Sequence, residues 1–207
     1  MKESLAQGSS NFARQQEKTL EEEIEEKKRY IPPHLHANLE LVDCVYMTTS
    51  MLLEVPNLSQ NKFTIQKNVI NRNFRKLIEQ YDLKGIQFAA QNSRDYIVFA
   101  SRYLSQSKWE ECFDNICQIK IFNKMPEFQK GPLKDALKHK IKEIALRIFF
   151  LESQNQYESF GIKAVQDQFS LEKAPVYKEV SKLIVKGEIQ AKIDSGSNTV
   201  IFASKDK

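Results

Sequence analysis

The fold turns on the stretch SFGIKAVQDQFSLEKAPVYKEVSKLIVKGEIQAKIDSGSNTVIF, Ser159 to Phe202. Its periodicity changes partway along. Ile162, Val165 and Phe169 recur at three- and four-residue spacing, and Val176, Val180, Leu183 and Ile184 do the same in the next segment, so two short helices each carry one apolar stripe. Gly187 can take the left-handed conformation that closes the second helix. Beyond it Ile189, Ala191 and Ile193 alternate, DSGSN turns the chain, and Val200 and Phe202 alternate back, the period-two signature of a hairpin. With a helix expected over 141–153, three helices closing on a two-stranded ribbon within about 65 residues predict a winged helix.

A two-stranded ribbon leaves a strand edge unpaired, a template onto which a partner can add a strand. Ile193, Val200, Ile201 and Phe202 are the expected protein-interface residues. Alternation faces Val200 and Phe202 one way and Ile201 the other, so one side is expected to lack cover within the monomer. The competing reading makes all four the wing's own core. A winged helix also offers its third helix to nucleic acid. Lys178, Lys182 and Lys186 form a stripe there, with Lys163, Lys173 and Lys192 nearby, and they are the candidate RNA contacts through salt-sensitive phosphate binding. Glu172, Glu179 and Glu188 dilute that field, and no arginine follows Arg147 to grip guanine, which argues against specific DNA reading.

Upstream, the pattern is helical throughout. Pro32 and Pro33 precede a helix over Leu39–Val55 whose apolar residues cover most of its circumference, which predicts an interior helix stopped by Pro56. A second helix is expected over Ile65–Tyr81, striped by Ile70, Phe74, Leu77 and Tyr81 and closed at Gly85. Tyr96–Leu104 and Trp109–Ile116, joined by SQS, read as a helical hairpin, with Ser107 and Glu110 spaced as a capping box. A helix from Leu133 to Glu152 carries Leu137, Ile141, Ile144, Ile148 and Leu151 beside a parallel row of Lys134, Lys138 and Lys142. The fold class is therefore mainly α: a helical-repeat stack over 29–140, then a C-terminal winged helix over 141–204. Residues 1–28, ending in LEEEIEEKKR, read as an acidic lead-in, partly disordered or a solvated helix.

Several function classes recede on composition. Across 207 residues and a formal charge of +4, no apolar run approaches bilayer length, so no membrane association is expected. The first residues lack a secretory signal, and three unframed cysteines suit a reducing compartment, so a cytoplasmic location is expected. A metal at His34, His36, Asp43 and Cys44 is disfavoured, because two residues turn a helix about 200° and no common face collects the four. Cys112 and Cys117 are equally poor partners, about 140° past a shared face. With three histidines, no nucleophile turn and no glycine pair spaced for a phosphate, neither catalytic residues nor a cofactor site is expected.

A helical stack running without a linker into a winged helix resembles the PCI domain, the module shared by the proteasome lid, the COP9 signalosome and the large eukaryotic translation initiation complex. YIPPHLHANLELVDCVYMTTSMLLEVP (30–56) goes further, being similar to the opening PCI segment of the c-subunit family of eukaryotic translation initiation factor three. The similarity continues through WEEC (109–112), KIKEIALRIFF (140–150) and SFGIKAVQDQFSLEKAPVYKEVSKLIVKGEIQA (159–191). The Asn- and Gln-rich segment 57–92 departs from the family. The resemblance implies a non-catalytic scaffold whose winged helix joins those of other PCI subunits by extending a shared sheet, docking on the small ribosomal subunit. Other initiation factors and RNA are further implied partners. The alternatives are a PCI scaffold of proteasome-lid or signalosome type and a winged-helix nucleic-acid binder acting alone.

Overall fold

A computed structural model describes residues 19–30, 38–61, 68–84, 90–125 and 127–203. These fall into two compact units, one ending at Leu39 and one opening at Glu40. In the first, helix α1 (Leu20–Tyr30) has glutamates in its first turn and Lys27, Lys28 and Arg29 in its last, each sign opposite to the helix dipole at that end.

From Glu40 onward, α2 (Leu39–Gln60) belongs to the second unit. Cys44, Met47, Met51 and Val55 bury one face of it. The expectation of neighbours on several sides is not met: Val42, Val45, Tyr46 and Leu53 stay exposed along the opposite face. Nor does Pro56 end the helix, which runs on to Gln60. Proline removes one donor, yet Asn57 and Asn61 hold the extra turn, Asn61 donating from its backbone to the Asn57 carbonyl at 3.0 Å.

Helix α3 (Arg72–Lys84) starts later than the predicted Ile65. The cause is local. The fully buried Glu54 carboxylate accepts the amides of Ile70 (3.0 Å) and Asn71 (2.9 Å), and the Asn71 side chain accepts the Phe74 amide at 2.9 Å, which makes Asn71 the N-cap. Ile70 therefore lies before the helix and is exposed, while Phe74 is wholly buried. Gly85 lies outside the described residues.

Helices α4 (Ser93–Ser105) and α5 (Trp109–Cys117) form the predicted hairpin. Its capping differs. Ser107 has a positive φ of 60° and donates to the Leu104 carbonyl while Lys108 donates to Tyr103, so SQS closes α4 in a Schellman turn and Lys108 occupies the α5 cap. The reaching-back carboxylate is instead Asp95, which accepts the amides of Gln91 and Asn92 at the start of α4. Short α6 (Lys120–Lys124) leads to α7 (Glu127–Ser153), a spine that begins before Leu133, passes Pro132 and is unbroken at residues 140–141.

The remainder is β1 (Ser159–Gly161), α8 (Ile162–Phe169), α9 (Lys173–Val185), β2 (Ala191–Asp194) and β3 (Thr199–Phe202). Together with the end of α7 this is a winged helix, so the mainly α fold is helices followed by a winged helix. Gly187, at φ 68°, closes α9 as predicted. Ile189 is buried but precedes the strand. The ribbon expected to have two strands has three, in the order β1-β3-β2 and antiparallel throughout. Val200, Phe202, Ile162, Val165, Phe169, Val176, Val180 and Leu183 share one core with α7.

Candidate functional site

The third strand changes which backbone is free. Phe160 pairs with Val200 across β1 and β3, and Ile193 with Val200 across β2 and β3, so the strand carrying Val200, Ile201 and Phe202 is bonded on both sides. Those three residues cannot offer a strand edge, which corrects the expectation drawn from a two-stranded wing. Their side chains divide as alternation predicts. Val200 and Phe202 point into the core, and Ile201 lies on the outer face at 45% exposure. Phe160, beside Val200, meets Phe149 edge-on at 5.1 Å and Tyr157 at 4.8 Å.

Among the described residues the free edges belong to β1 and β2. The Ala203 amide donates to Gln190 at 2.8 Å, which sets the alternation of the ladder: Lys192 and Asp194 bond inward to β3, and Ala191 and Ile193 turn their N–H and C=O groups outward. Neither outward amide has a partner among the described residues. Ile193 is thus the one predicted interface residue on an open edge. Lys192 and Asp194 put charge along that edge, which discourages indiscriminate pairing. The turn beyond is braced by Asp194, whose carboxyl is held below the usual range by hydrogen bonds from Ser197 and Gly196.

The lysine stripe on α9 is not uniform. Lys178 and Lys186 are exposed and have no ion-pair partner among the described residues. Lys182 is committed: its ammonium lies 3.3 Å from both Glu143 on α7 and Glu179. Lys140 reaches Glu143 at 2.7 Å. Burial alone raises the Glu143 pKa, but Lys140 and Lys182 outweigh it and hold the carboxyl down to about 2. Glu188 is likewise occupied, accepting two hydrogen bonds of 3.0 Å from Arg147. Lys173 bonds Asn198 at the wing turn, where the Tyr177 hydroxyl also donates at 3.0 Å. So α9 is fixed to both α7 and the wing.

One arrangement was not legible in the sequence: Lys142 lies 4.0 Å and Lys138 5.5 Å from the Trp109 ring centroid, while Lys142 also donates to the Ser170 carbonyl. The row of α7 lysines was visible, but not the tryptophan beneath it. Of the disfavoured metal ligands, His34 and His36 lie outside the described residues. Asp43 receives Arg94 through two bonds of 2.9 and 3.1 Å, and Cys44 is buried with its thiol pushed up by burial. Cys112 is pushed up to about 12 for the same reason. Among the described residues no three His, Cys, Asp or Glu side chains converge, and no helix is long and apolar enough to cross a membrane.

Comparison with known families gives two matches: the family described as eukaryotic translation initiation factor 3 subunit 8 N-terminus over residues 1–65, and the PCI domain over residues 102–204. Among curated relatives, the C subunit of eukaryotic translation initiation factor 3 from Neurospora crassa is 36% identical over 203 residues, covering 97% of this chain and 23% of the relative. That of Mycosarcoma maydis is 36% identical over 98% of this chain and 23% of its own length. The Caenorhabditis elegans protein of the same name is 31% identical over 97% of this chain and 22% of its own. The chain thus spans less than a quarter of the length of these relatives.

Proposed function

This chain is a PCI-domain protein similar to the C subunit of eukaryotic translation initiation factor 3, and from that premise we propose that it acts as a non-catalytic scaffold of that complex. Its contribution is a protein interface that supports preinitiation assembly on the small ribosomal subunit in the cytoplasm. The observation that carries the reading is the open edge of β2, where Ala191 and Ile193 present paired donors and acceptors to a partner strand. A winged helix of another PCI protein supplies that strand, and the two sheets become one.

The geometry suits a rigid connector. Ion pairs from α9 and the following turn to α7, at Lys182–Glu143 and Arg147–Glu188, fix the winged helix against the spine, so force on the β2 edge passes into the helical part. Lys178 and Lys186 add a secondary, salt-sensitive contact with RNA phosphates. The test is composition: a tagged full chain is recovered from cytosol and its companions are identified by mass spectrometry. Subunits of the initiation factor support the reading. Recovery of proteasome-lid or signalosome subunits, or of nucleic acid alone, overturns it.

A further inference from the structure

The outward face of α2 is a second apolar surface, and it lies outside the matched PCI residues. Val42 is 55% exposed, Val45 53%, Tyr46 41% and Leu53 58%. Val42, Val45 and Tyr46 are neighbours at three- and four-residue spacing, and Leu53 lies on the same side seven residues beyond Tyr46, past the exposed Thr49, so the four span about 16 Å of helix. Isolated exposed apolar residues need no explanation, but an aligned row of large ones does.

Size and charge decide what covers it. The row offers on the order of 400 Å², about half of the roughly 800 Å² per partner that a stable self-dimer buries, and close to what one face of one helix fills. Its two ends differ electrically. Near Val42, Asp43 is neutralised by Arg94. At the Leu53 end the row enters a hollow shared with Ile144 and Leu183, rimmed by Lys140, Lys182 and Lys186. Glu143, Glu179 and Glu188 compensate Lys140, Lys182 and Arg147 there, which leaves Lys186 as an uncompensated cation among the described residues.

We propose that this face of α2 is the docking site for a single amphipathic helix of another protein, apolar along one side for about three turns and bearing a carboxylate at the end that meets Lys186. The site is independent of the β2 edge, so a partner helix on α2 and a partner strand on β2 can be held at once.

The probe is a fluorescein-labelled helical peptide of about 18 residues with leucines at three-to-four spacing and glutamates in the turn that meets Lys186, beside a sister peptide carrying lysines there. Anisotropy titrations use the full chain. The glutamate peptide binds in preference to the lysine peptide, and Val45→Glu and Leu53→Glu each weaken it about tenfold or more with an unchanged circular dichroism spectrum. Lys186→Glu reverses the preference between the peptides. Ile193→Pro leaves binding intact, which keeps this inference separable from the scaffold reading. Equal binding by the wild-type chain and Val45→Glu, or a preference indifferent to Lys186→Glu, overturns the proposal. So does a concentration-dependent dimer in sedimentation that Val45→Glu dissolves, since the occupant is then a second copy.

Discussion

Replacing Ile193 with proline separates an edge that recruits a partner from one that does not. The Ile193 amide points away from β3, so proline there removes no hydrogen bond of the chain's own sheet. It removes one donor offered to a partner strand and sets ring atoms in its path. One main-chain bond is worth about 0.5–1.5 kcal/mol net, and the displaced partner strand leaves its own carbonyl unpaired at about 1–3 kcal/mol. Affinity for the partner protein then falls by roughly tenfold to a thousandfold, since each 1.4 kcal/mol is about tenfold. Two comparators fix the cause. Ile193→Ala removes the half-buried side chain but keeps the donor, and it retains most of the binding. Lys192→Pro deletes an inward bond to β3 and lowers the melting temperature as well. The assay is quantitative co-purification with PCI subunits, alongside thermal unfolding. Unchanged recovery for Ile193→Pro, with its fold intact, refutes the reasoning.

Other substitutions probe the frame around that edge. Glu54→Ala strands the Ile70 and Asn71 amides and the Arg75 guanidinium at a fully buried position, so denaturant unfolding loses about 3–5 kcal/mol and the α3 amides exchange faster; a loss under about 1 kcal/mol contradicts this. Glu143 titrates in the folded chain at about 2, below its ordinary 4.5, so its contribution is present above about pH 4.5 and is lost as pH falls toward 2. Because the lysines are exposed, that contribution is about 1 kcal/mol or less, and the stability gap between wild type and Glu143→Gln closes between pH 5 and pH 2 in urea titrations. Lys178→Glu and Lys186→Glu weaken binding of a single-stranded RNA oligomer and lower the slope of log affinity against log salt by about 0.7 each; an unchanged slope removes the phosphate contact.

What the sequence disclosed follows from the range of the forces involved. Stripes such as Val176, Val180, Leu183 and Ile184 are local, so the helices of the winged helix and the hairpin of α4 and α5 were legible. Three residues, Ser159 to Gly161, carry no periodicity, and they become β1 only because Phe160 meets Val200 forty residues later. That single long-range pairing moved Val200, Ile201 and Phe202 off the edge and left Ile193 on it. Long-range pairing also spent Lys182, since Glu143 comes from another helix. At α2 the difference is one of degree: apolar residues around the whole circumference suggest burial on all sides, whereas the structure packs one face and exposes the other. Pro56 misleads for a related reason, because hydrogen bonds among Asn57, Asn61 and Asn68 support a turn that propensity alone would end.

Amide hydrogen exchange at residues 191–194, followed by NMR in the free chain and in complex with the subunits recovered alongside it, tests the account most directly. The Ala191 and Ile193 amides, pointing away from β3, exchange rapidly in the free chain and become protected on assembly, while the inward Lys192 and Asp194 amides are protected in both states. An intact complex in which Ala191 and Ile193 still exchange at their free-chain rates contradicts it.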